Sequence, residues 1–182
     1  MRTPEDIYDE LLVMRCQDGD QGALIALVGR WQPRLLRHAM RLTREYEAAT
    51  DVVQEAWVAI VRGIRGLDDA ACFAPWAYRI LTNKCADWTR HRQRLRASSV
   101  PLTVEPVAKE SATEDSQDDA AALREAIKQL PQEQQAILSL FYMEGLSLRD
   151  IAEALSLPVG TVKSRLHYAR NSLKEVIERR SQ

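Results

Sequence analysis

The chain of 182 residues is 46% apolar and 28% charged, and its formal net charge at pH 7 is −1. These values suit one or two small soluble domains, and no apolar run approaches the ~20 residues that a membrane span requires. The acidic start at residues 1–6 lacks the apolar segment of a signal peptide, so we expect a cytoplasmic protein.

The sequence offers no pattern typical of catalysis. Cys16, Cys72 and Cys85 have neither metal-ligand nor disulfide spacing, which predicts reduced thiols in the core, with a redox sensor as the alternative. The histidines are scattered, and no phosphate-cradling glycine-rich loop or nucleophile–base set is evident. We therefore expect no enzyme activity, no metal, no cofactor and no small-molecule substrate.

Residues 1–96 are predicted to form a first helical domain. Apolar periodicity predicts helices over 7–14, 23–42 (interrupted at Pro33), 48–64 and 73–94, with a loop over 65–72. One face of the third helix is apolar: Val53, Ala56, Trp57, Ile60 and Ile64. The other face carries a mixed patch of Asp51, Gln54, Glu55 and Val58. This patch predicts a docking site, and an ordinary solvated face is the alternative.

The helix over 73–94 has a polar stripe opposite its core-facing residues. The core side holds Ala77, Leu81, Cys85 and Trp88. The polar side holds Trp76, Arg79, Asn83, Asp87, Arg90 and Arg94, and Arg92 adds a further cation. Cations that hold phosphates beside a ring that stacks on a base suit single-stranded nucleic acid. The alternative is a solvated surface with Trp76 tucked against a neighbour.

Residues 97–118 separate this domain from a second one over 119–182. Residues 84–96 hold five basic side chains and one acid, whereas residues 105–119 hold six acids and one lysine. Two prolines and many small polar residues predict a flexible acidic linker that joins two helical domains.

The second domain contains a helix-turn-helix pattern. Leu148, Ile151, Ala152 and Leu155 form an apolar stripe. Ser147 precedes the stripe and Asp150 follows three residues later, which predicts an approximate capping box. Residues 157–160 break the helix, and Thr161 is predicted to cap the next one. In that helix Val162, Leu166, Ala169, Leu173 and Ile177 face inward. The outer side carries Lys163, Ser164, His167, Tyr168 and Asn171, flanked by Arg165 and Arg170. Such a helix fits the DNA major groove, and an amphipathic hairpin is the alternative.

Four segments, in this order, resemble the sigma-70 family of bacterial RNA polymerase initiation factors, specifically its small extracytoplasmic function (ECF) group. Residues 51–57 are similar to the family's D-x-x-Q-E-x-aromatic helix, and residues 73–90 to its W-x-x-x-I-x-x-N-x-x-x-D-x-x-R helix. Residues 130–138 are similar to the opening of its carboxy-terminal domain, and residues 159–166 to its recognition helix. The departures are Ala77 for a usual Leu, Gln135 for Arg and Ser156 for a turn Gly.

The resemblance implies an all-α fold with two small helical domains, region 2 at 1–96 and region 4 at 119–182. It implies polymerase binding by Asp51, Gln54, Glu55 and Val58. It implies handling of the promoter −10 element by Gly66, Leu67, Asp68, Trp76, Arg79, Asn83, Arg90, Arg92 and Arg94. It implies reading of the −35 element by Thr161, Lys163, Ser164, Arg165, His167, Tyr168 and Arg170.

The partners implied are core RNA polymerase, through the clamp helices of its largest subunit and its flap, promoter DNA, and an anti-sigma factor that responds to stress or an extracellular signal. The acidic linker resembles segments that thread basic polymerase channels, and a plain spacer explains it equally well. Two other functions stay open: a repressor or activator that works without polymerase, and an adaptor or anti-sigma protein that only binds polymerase.

Overall fold

A computed structural model describes residues 3–98, 123 and 125–180, and every regular element in that part of the chain is helical. The elements are α1 (Pro4–Gln17), α2 (Gln21–Thr43), α3 (Tyr46–Gly63), two 3-10 turns (Ile64–Gly66 and Ala70–Cys72), α4 (Phe73–Ser98), α5 (125–129), α6 (Gln132–Leu138), a π turn (Ser139–Met143), α7 (Leu148–Leu155) and α8 (Val159–Arg180). The predicted linker lies outside the described residues from residue 99 onward. No helix in the described part is long and apolar enough to cross a membrane.

Side-chain caps fix where several helices begin. The Thr3 side chain and Asp6 form a capping box at α1, and the carboxylate of Asp20 accepts the backbone N–H of Ala23 at 3.0 Å. The capping box predicted for α7 is confirmed, because Ser147 Oγ accepts the N–H of Asp150 and the carboxylate of Asp150 accepts the N–H of Ser147. Each cap satisfies N–H groups that have no partner within the helix.

Two predicted helix boundaries are wrong. Helix α2 continues through Pro33, because the burial of Trp31 and Leu35 holds both sides of the proline against the core. Helix α8 begins at Val159, not after Thr161. The N–H of Val162 already bonds to the carbonyl of Pro158 at 3.0 Å, so Thr161 lies inside the first turn.

Helices α1–α4 enclose one packed core. The Trp31 ring meets those of Phe73 and Tyr78 edge-on, with centroids 5.1 and 5.8 Å apart. Cys16 and Cys85 are buried as expected, and burial raises the pKa of Cys85 to about 12, which disfavours its thiolate. Cys72 is half-buried beside acidic side chains, and burial is the main cause that raises its pKa.

Helices α6–α8 form the carboxy-terminal helix-turn-helix domain around Ile137, Leu140, Ile151, Val162 and Leu166, all of them buried. The predicted inner stripe of α8 holds through Ala169, but Ile177 is 37% exposed, because it lies in the last turns of the helix. This domain packs on the first one: α7 contacts α4 and α6 contacts α2, and their buried side chains form one continuous cluster.

Candidate polymerase and DNA interfaces

The outer face of α3 presents the predicted docking patch to solvent. Asp51, Gln54, Glu55 and Val58 are all exposed, and Val58 retains 50% of its accessible surface. The opposite stripe is buried, and Trp57 Nε1 donates to Gln32 Oε1 at 2.5 Å, which fixes the rotation of the helix. Glu55 also accepts from Lys84 Nζ at 2.9 Å, so the patch borders α4.

The turn that carries Gly66, Leu67 and Asp68 is held from beneath by α1. The Gln17 side-chain amide donates to the carbonyls of Ile64 at 3.0 Å and Leu67 at 2.8 Å. Gly66 and Asp68 are exposed, and Leu67 is half-buried. Sequence reasoning missed Gln17, since it lies 47 and 50 residues from its two partners and no local pattern connects them.

Trp76 lies at the boundary between the core and the outer face of α4. The indole is half-buried, tilts against Phe73 with centroids 6.1 Å apart, and covers Gly63. The prediction that Trp76 lies with the polar stripe as an exposed ring is therefore wrong, and the alternative in which Trp76 is tucked against a neighbour describes its position. Helix α3 ends at Gly63, which has no side chain, and this leaves room for the indole.

The predicted −10 cations on α4 differ in what they contact. Arg90 pairs with Asp87 at 2.7 Å on the surface. Arg92 pairs with Glu45, and its guanidinium lies 5.1 Å from the centroid of Trp88. Arg79 is half-buried, and Arg94 and Asn83 are exposed. These side chains lie along one helix, with Arg92 partly engaged within its own domain.

The amino-terminal half of α8 exposes a polar and basic face. Lys163, Ser164, His167 and Tyr168 are exposed and, together with Gly160, line one shallow surface depression. Ser164 Oγ donates to the carbonyl of Thr161 at 3.0 Å. His167 Nε2 lies 3.1 Å from the side-chain amide of Asn171. Four of the side chains that were predicted to read the −35 element therefore share one continuous surface.

The two flanking arginines of α8 and Thr161 are placed differently. Arg165 is half-buried and bonds to Glu133 at 2.8 Å, which ties α8 to α6. The guanidinium of Arg170 lies 5.4 Å from the ring centroids of Phe141 and Tyr142. Thr161 is half-buried. Both arginines therefore contact other side chains of their own domain.

The three departures from the family pattern have clear structural settings. Gln135 is buried, and its side-chain amide donates to the carbonyls of Leu130 at 2.6 Å and Lys128 at 3.3 Å, so it caps the preceding segment instead of pairing with a charge. Ser156 adopts φ 53° and ψ 45°, the left-handed conformation that glycine adopts more readily, and therefore carries mild strain. Ala77 is fully buried.

A buried polar cluster between the two domains was not predicted. The carboxylate of Glu144 lies among Arg34, Arg41 and Tyr78 of the first domain. Beside it, His38 Nδ1 lies 3.2 Å from Ser139 Oγ, and Nε2 lies 3.2 Å from Thr82 Oγ1. Burial lowers the pKa of His38 to about 4, and burial together with the Glu144 charge raises the pKa of Tyr78.

The described residues include no group of three or more His, Cys, Asp or Glu side chains placed to hold a metal ion. The exposed side chains of α3, α4 and α8 offer hydrogen-bonding groups, charges and aromatic rings. This set of groups suits contacts with nucleic acid and protein.

Known proteins share this arrangement. Residues 27–95 match Sigma-70 region 2, and residues 120–173 match Sigma-70, region 4. The chain is 31% identical to the RNA polymerase sigma-H factor of Pseudomonas aeruginosa, with 93% of this chain and 94% of that protein covered. It is 30% identical to the ECF RNA polymerase sigma-E factor of Escherichia coli (strain K12), with 96% of each chain covered.

The sigma factor RpoE from Bartonella quintana, solved in complex with the anti-sigma factor NepR, superposes with a TM-score of 0.74 at 26% identity, over 85% of this chain and 96% of that one. The chain therefore belongs to the sigma-70 family, as an extracytoplasmic function RNA polymerase sigma factor.

Proposed function

We propose that this sigma factor directs core RNA polymerase to its promoters with region 2 within residues 1–96 and region 4 within residues 119–182. The family matches over 27–95 and 120–173 support this division. The residues between the two domains serve as the tether. The sigma factor itself catalyses no reaction; it positions an enzyme and DNA.

Polymerase binds the outer face of α3. Asp51, Gln54 and Glu55 supply two carboxylates and an amide, and Val58 supplies an exposed apolar surface beside them. A mixed patch of this kind matches a partner that presents basic and apolar side chains. The clamp helices of the largest polymerase subunit are that partner in our proposal, and the flap contacts region 4.

Region 2 opens the −10 element at the turn formed by Gly66, Leu67 and Asp68, together with Asn83. A base that flips out of the non-template strand enters this turn. Unpairing costs a few kcal/mol, which stacking and hydrogen bonds offset. Trp76 lies at the edge of the melted DNA, while Arg79, Arg90, Arg92 and Arg94 hold the backbone.

Region 4 reads the −35 element with α8 in the major groove. Lys163, Ser164, His167 and Tyr168 face the base edges, and Arg165, Arg170 and Thr161 contact the phosphates. The side chains that face bases carry the donors and acceptors needed for direct readout. The two arginines are held by Glu133 and by the Phe141 and Tyr142 rings, so they are preorganised for phosphate contact.

An anti-sigma factor regulates this activity in the cytoplasm, in response to stress or an extracellular signal. The support is the likeness to RpoE of Bartonella quintana, which was solved with its anti-sigma factor NepR. The surface available to an inhibitor is the exposed α3 patch, because covering it would prevent polymerase binding.

The observation that carries the proposal is the two-sided nature of α8, whose Val162, Leu166 and Ala169 are buried while Lys163, Ser164, His167 and Tyr168 are exposed. The test is transcription by core polymerase and the purified chain on a random promoter library. We expect transcripts from templates that share one −35 and one −10 sequence. Transcripts without a shared sequence, or binding of duplex DNA that needs no polymerase, would contradict the proposal.

A further inference from the structure

The ring of His167 is held by a side chain one turn farther along α8. His167 and Asn171 are four residues apart, so they lie on the same face of the helix, and both are exposed. Asn171 Nδ2 donates to His167 Nε2 at 3.1 Å. The Tyr168 ring meets the imidazole edge-on, with centroids 5.9 Å apart. Asn171 was not among the side chains predicted to read the −35 element, yet it contacts one that was.

This hydrogen bond determines which ring nitrogen of His167 carries the proton. An amide nitrogen has only hydrogens to give, so Nε2 must accept through its lone pair. A neutral imidazole carries one proton, which therefore lies on Nδ1. In the part of the chain that the structure describes, no other group hydrogen-bonds to this ring. The Nδ1–H donor is therefore left for a partner outside the chain.

The imidazole belongs to the depression that α8 presents to DNA in the proposed function. His167 lines this depression together with Lys163 and Ser164. The Lys163 ammonium can only donate hydrogen bonds. Ser164 Oγ donates its proton to the carbonyl of Thr161 at 3.0 Å, so toward DNA it accepts. The depression therefore presents two donors, Lys163 and His167, beside one acceptor.

A ring that only donates discriminates between bases in the major groove. Guanine, adenine and thymine each present an acceptor there, whereas cytosine presents only its N4 amine, which donates. An imidazole that is free to change tautomer can meet either kind of base edge, because its Nδ1 then accepts or donates. With Nε2 held by Asn171, the ring meets cytosine donor against donor. Asn171 thus gives His167 a base preference that the free ring would lack.

We propose that Asn171 is a positioning residue for promoter recognition, which fixes the Nδ1–H tautomer of His167 and so disfavours cytosine at one position of the −35 element. The base preference rests on the proposed placement of α8 in the major groove. The alternative is an ordinary surface pair that supports the helix. A pair of that kind would leave base preference unchanged, so the two roles differ in a measurable property.

The first experiment determines the tautomer in the full chain, without polymerase or DNA. Nitrogen NMR of isotope-labelled protein at about pH 8, where ordinary histidine side chains are neutral, distinguishes a protonated ring nitrogen from an unprotonated one. His167→Gln identifies the signals of this residue among the 3 histidines. We expect Nδ1–H in the wild type. Asn171→Leu keeps the size of the side chain but removes the amide, so the Nδ1–H form should lose its majority, whereas Asn171→Gln should retain it.

The second experiment measures base preference with core polymerase on promoters randomised at the −35 element. His167→Ala identifies the position that the ring reads, because that position loses its preference. We expect Asn171→Leu to raise the use of cytosine there about tenfold, which is the effect of one lost base contact, and Asn171→Gln to keep the wild-type preference. In the His167→Ala background, Asn171→Leu should have no further effect. Glu178→Leu, the same kind of replacement at an exposed site nearer the end of α8, is the matched control and should resemble the wild type.

A wild-type ring protonated on Nε2, or a tautomer that Asn171→Leu leaves unchanged, would overturn the inference. An effect of Asn171→Leu that persists in the His167→Ala background would also overturn it, because Asn171 would then contact DNA itself. A wild type with the Nδ1–H tautomer but without a shared −35 sequence would contradict the proposed −35 role and leave the fixed tautomer standing. The NMR measurement therefore separates this inference from the proposed function.

Discussion

The indole of Trp76 covers Gly63 so closely that a Cβ at residue 63 would lie 2.9 Å from the ring atom Cζ2. The end of α3 therefore positions the aromatic ring that borders the proposed −10 surface. Only a residue without a side chain allows this approach, and here the steric requirement, rather than the backbone conformation, selects glycine.

Gly63→Ala should lower the free energy of unfolding by about 1 kcal/mol, because overpacking outweighs the gain in helix propensity. Urea denaturation measures the change. The control is Gly29→Ala in α2, where a Cβ meets nothing within 4 Å, and a gain of about 1 kcal/mol is expected. The double variant Gly63→Ala with Trp76→Phe should lose less free energy of unfolding than the sum of the losses in the two single variants. Strict additivity would argue against the steric explanation.

Replacing Asp51, Gln54 and Glu55 together with Ala should weaken assembly with core polymerase at least a hundredfold. The three side chains are exposed, so the fold should lose no more than about 1 kcal/mol, including the surface pair between Glu55 and Lys84. Fluorescence anisotropy with labelled protein measures assembly. Glu47→Ala, an exposed carboxylate outside the patch, serves as the control. Undiminished assembly by the triple variant would refute the assignment of this face.

Lys163→Ala and Arg165→Ala should both reduce −35-dependent transcription, by different mechanisms. We expect Lys163 to contact a base, and loss of such a contact costs about 1–3 kcal/mol. The effect of Lys163→Ala on transcription should therefore disappear when the −35 sequence is scrambled. Arg165 is expected to contact phosphate, so its effect should persist on the scrambled template. Lys174→Ala, farther along α8 and paired with Glu178, is the control. A Lys163 effect that survives scrambling would make this side chain a phosphate contact only.

Gln17→Met should slow opening of the −10 element about tenfold without changing polymerase assembly. The variant leaves the carbonyls of Ile64 and Leu67 without their donor, at a cost of about 1–3 kcal/mol for unmade hydrogen bonds. A fluorescent base analogue in the −10 element reports opening. Gln21→Met, at an exposed site at the start of α2, should behave as the wild type. Normal opening by Gln17→Met would show that the turn needs no anchor.

The stability of the protein should fall as the pH drops below about 6.5, because His38 is buried as the neutral ring. Burial holds its pKa at about 4 in the folded protein, against about 6.5 when unfolded, so the unfolded chain binds the proton first. The charged groups that face it are Glu144, which raises its pKa, and Arg41, which lowers it.

The expected loss from His38 is roughly 2 kcal/mol between pH 7.5 and pH 5, at 1.36 kcal/mol for each pKa unit. Urea denaturation across this range measures it. His38→Gln should make the pH dependence shallower by this amount, whereas His91→Gln, at an exposed position, should not. Equal slopes for the wild type and His38→Gln would contradict the assignment.

Local sequence patterns predicted the helices and the exposed faces. They failed where the conformation depends on contacts between residues that are far apart in sequence. The capping box at Ser147 and Asp150 depends on neighbours in sequence, so it could be predicted. The path of α2 through Pro33 depends on core packing from other helices. Glu144 meets Tyr78 and Arg41 across 66 and 103 residues, and no sequence periodicity connects such positions.

Helix α4 has a further consequence for how this protein can change over generations. Its 26 residues contribute to the interior of region 2, to the contact with region 4 through Tyr78 and Thr89, and to the outward stripe near Asn83. A substitution in α4 is therefore expected to affect the core of region 2, the contact with region 4 or the outward stripe. The outer face of α8 takes part in fewer intrachain contacts than α4. Altered promoter preference in descendants of this gene should therefore arise first through substitutions on this face, which is proposed to read the −35 element.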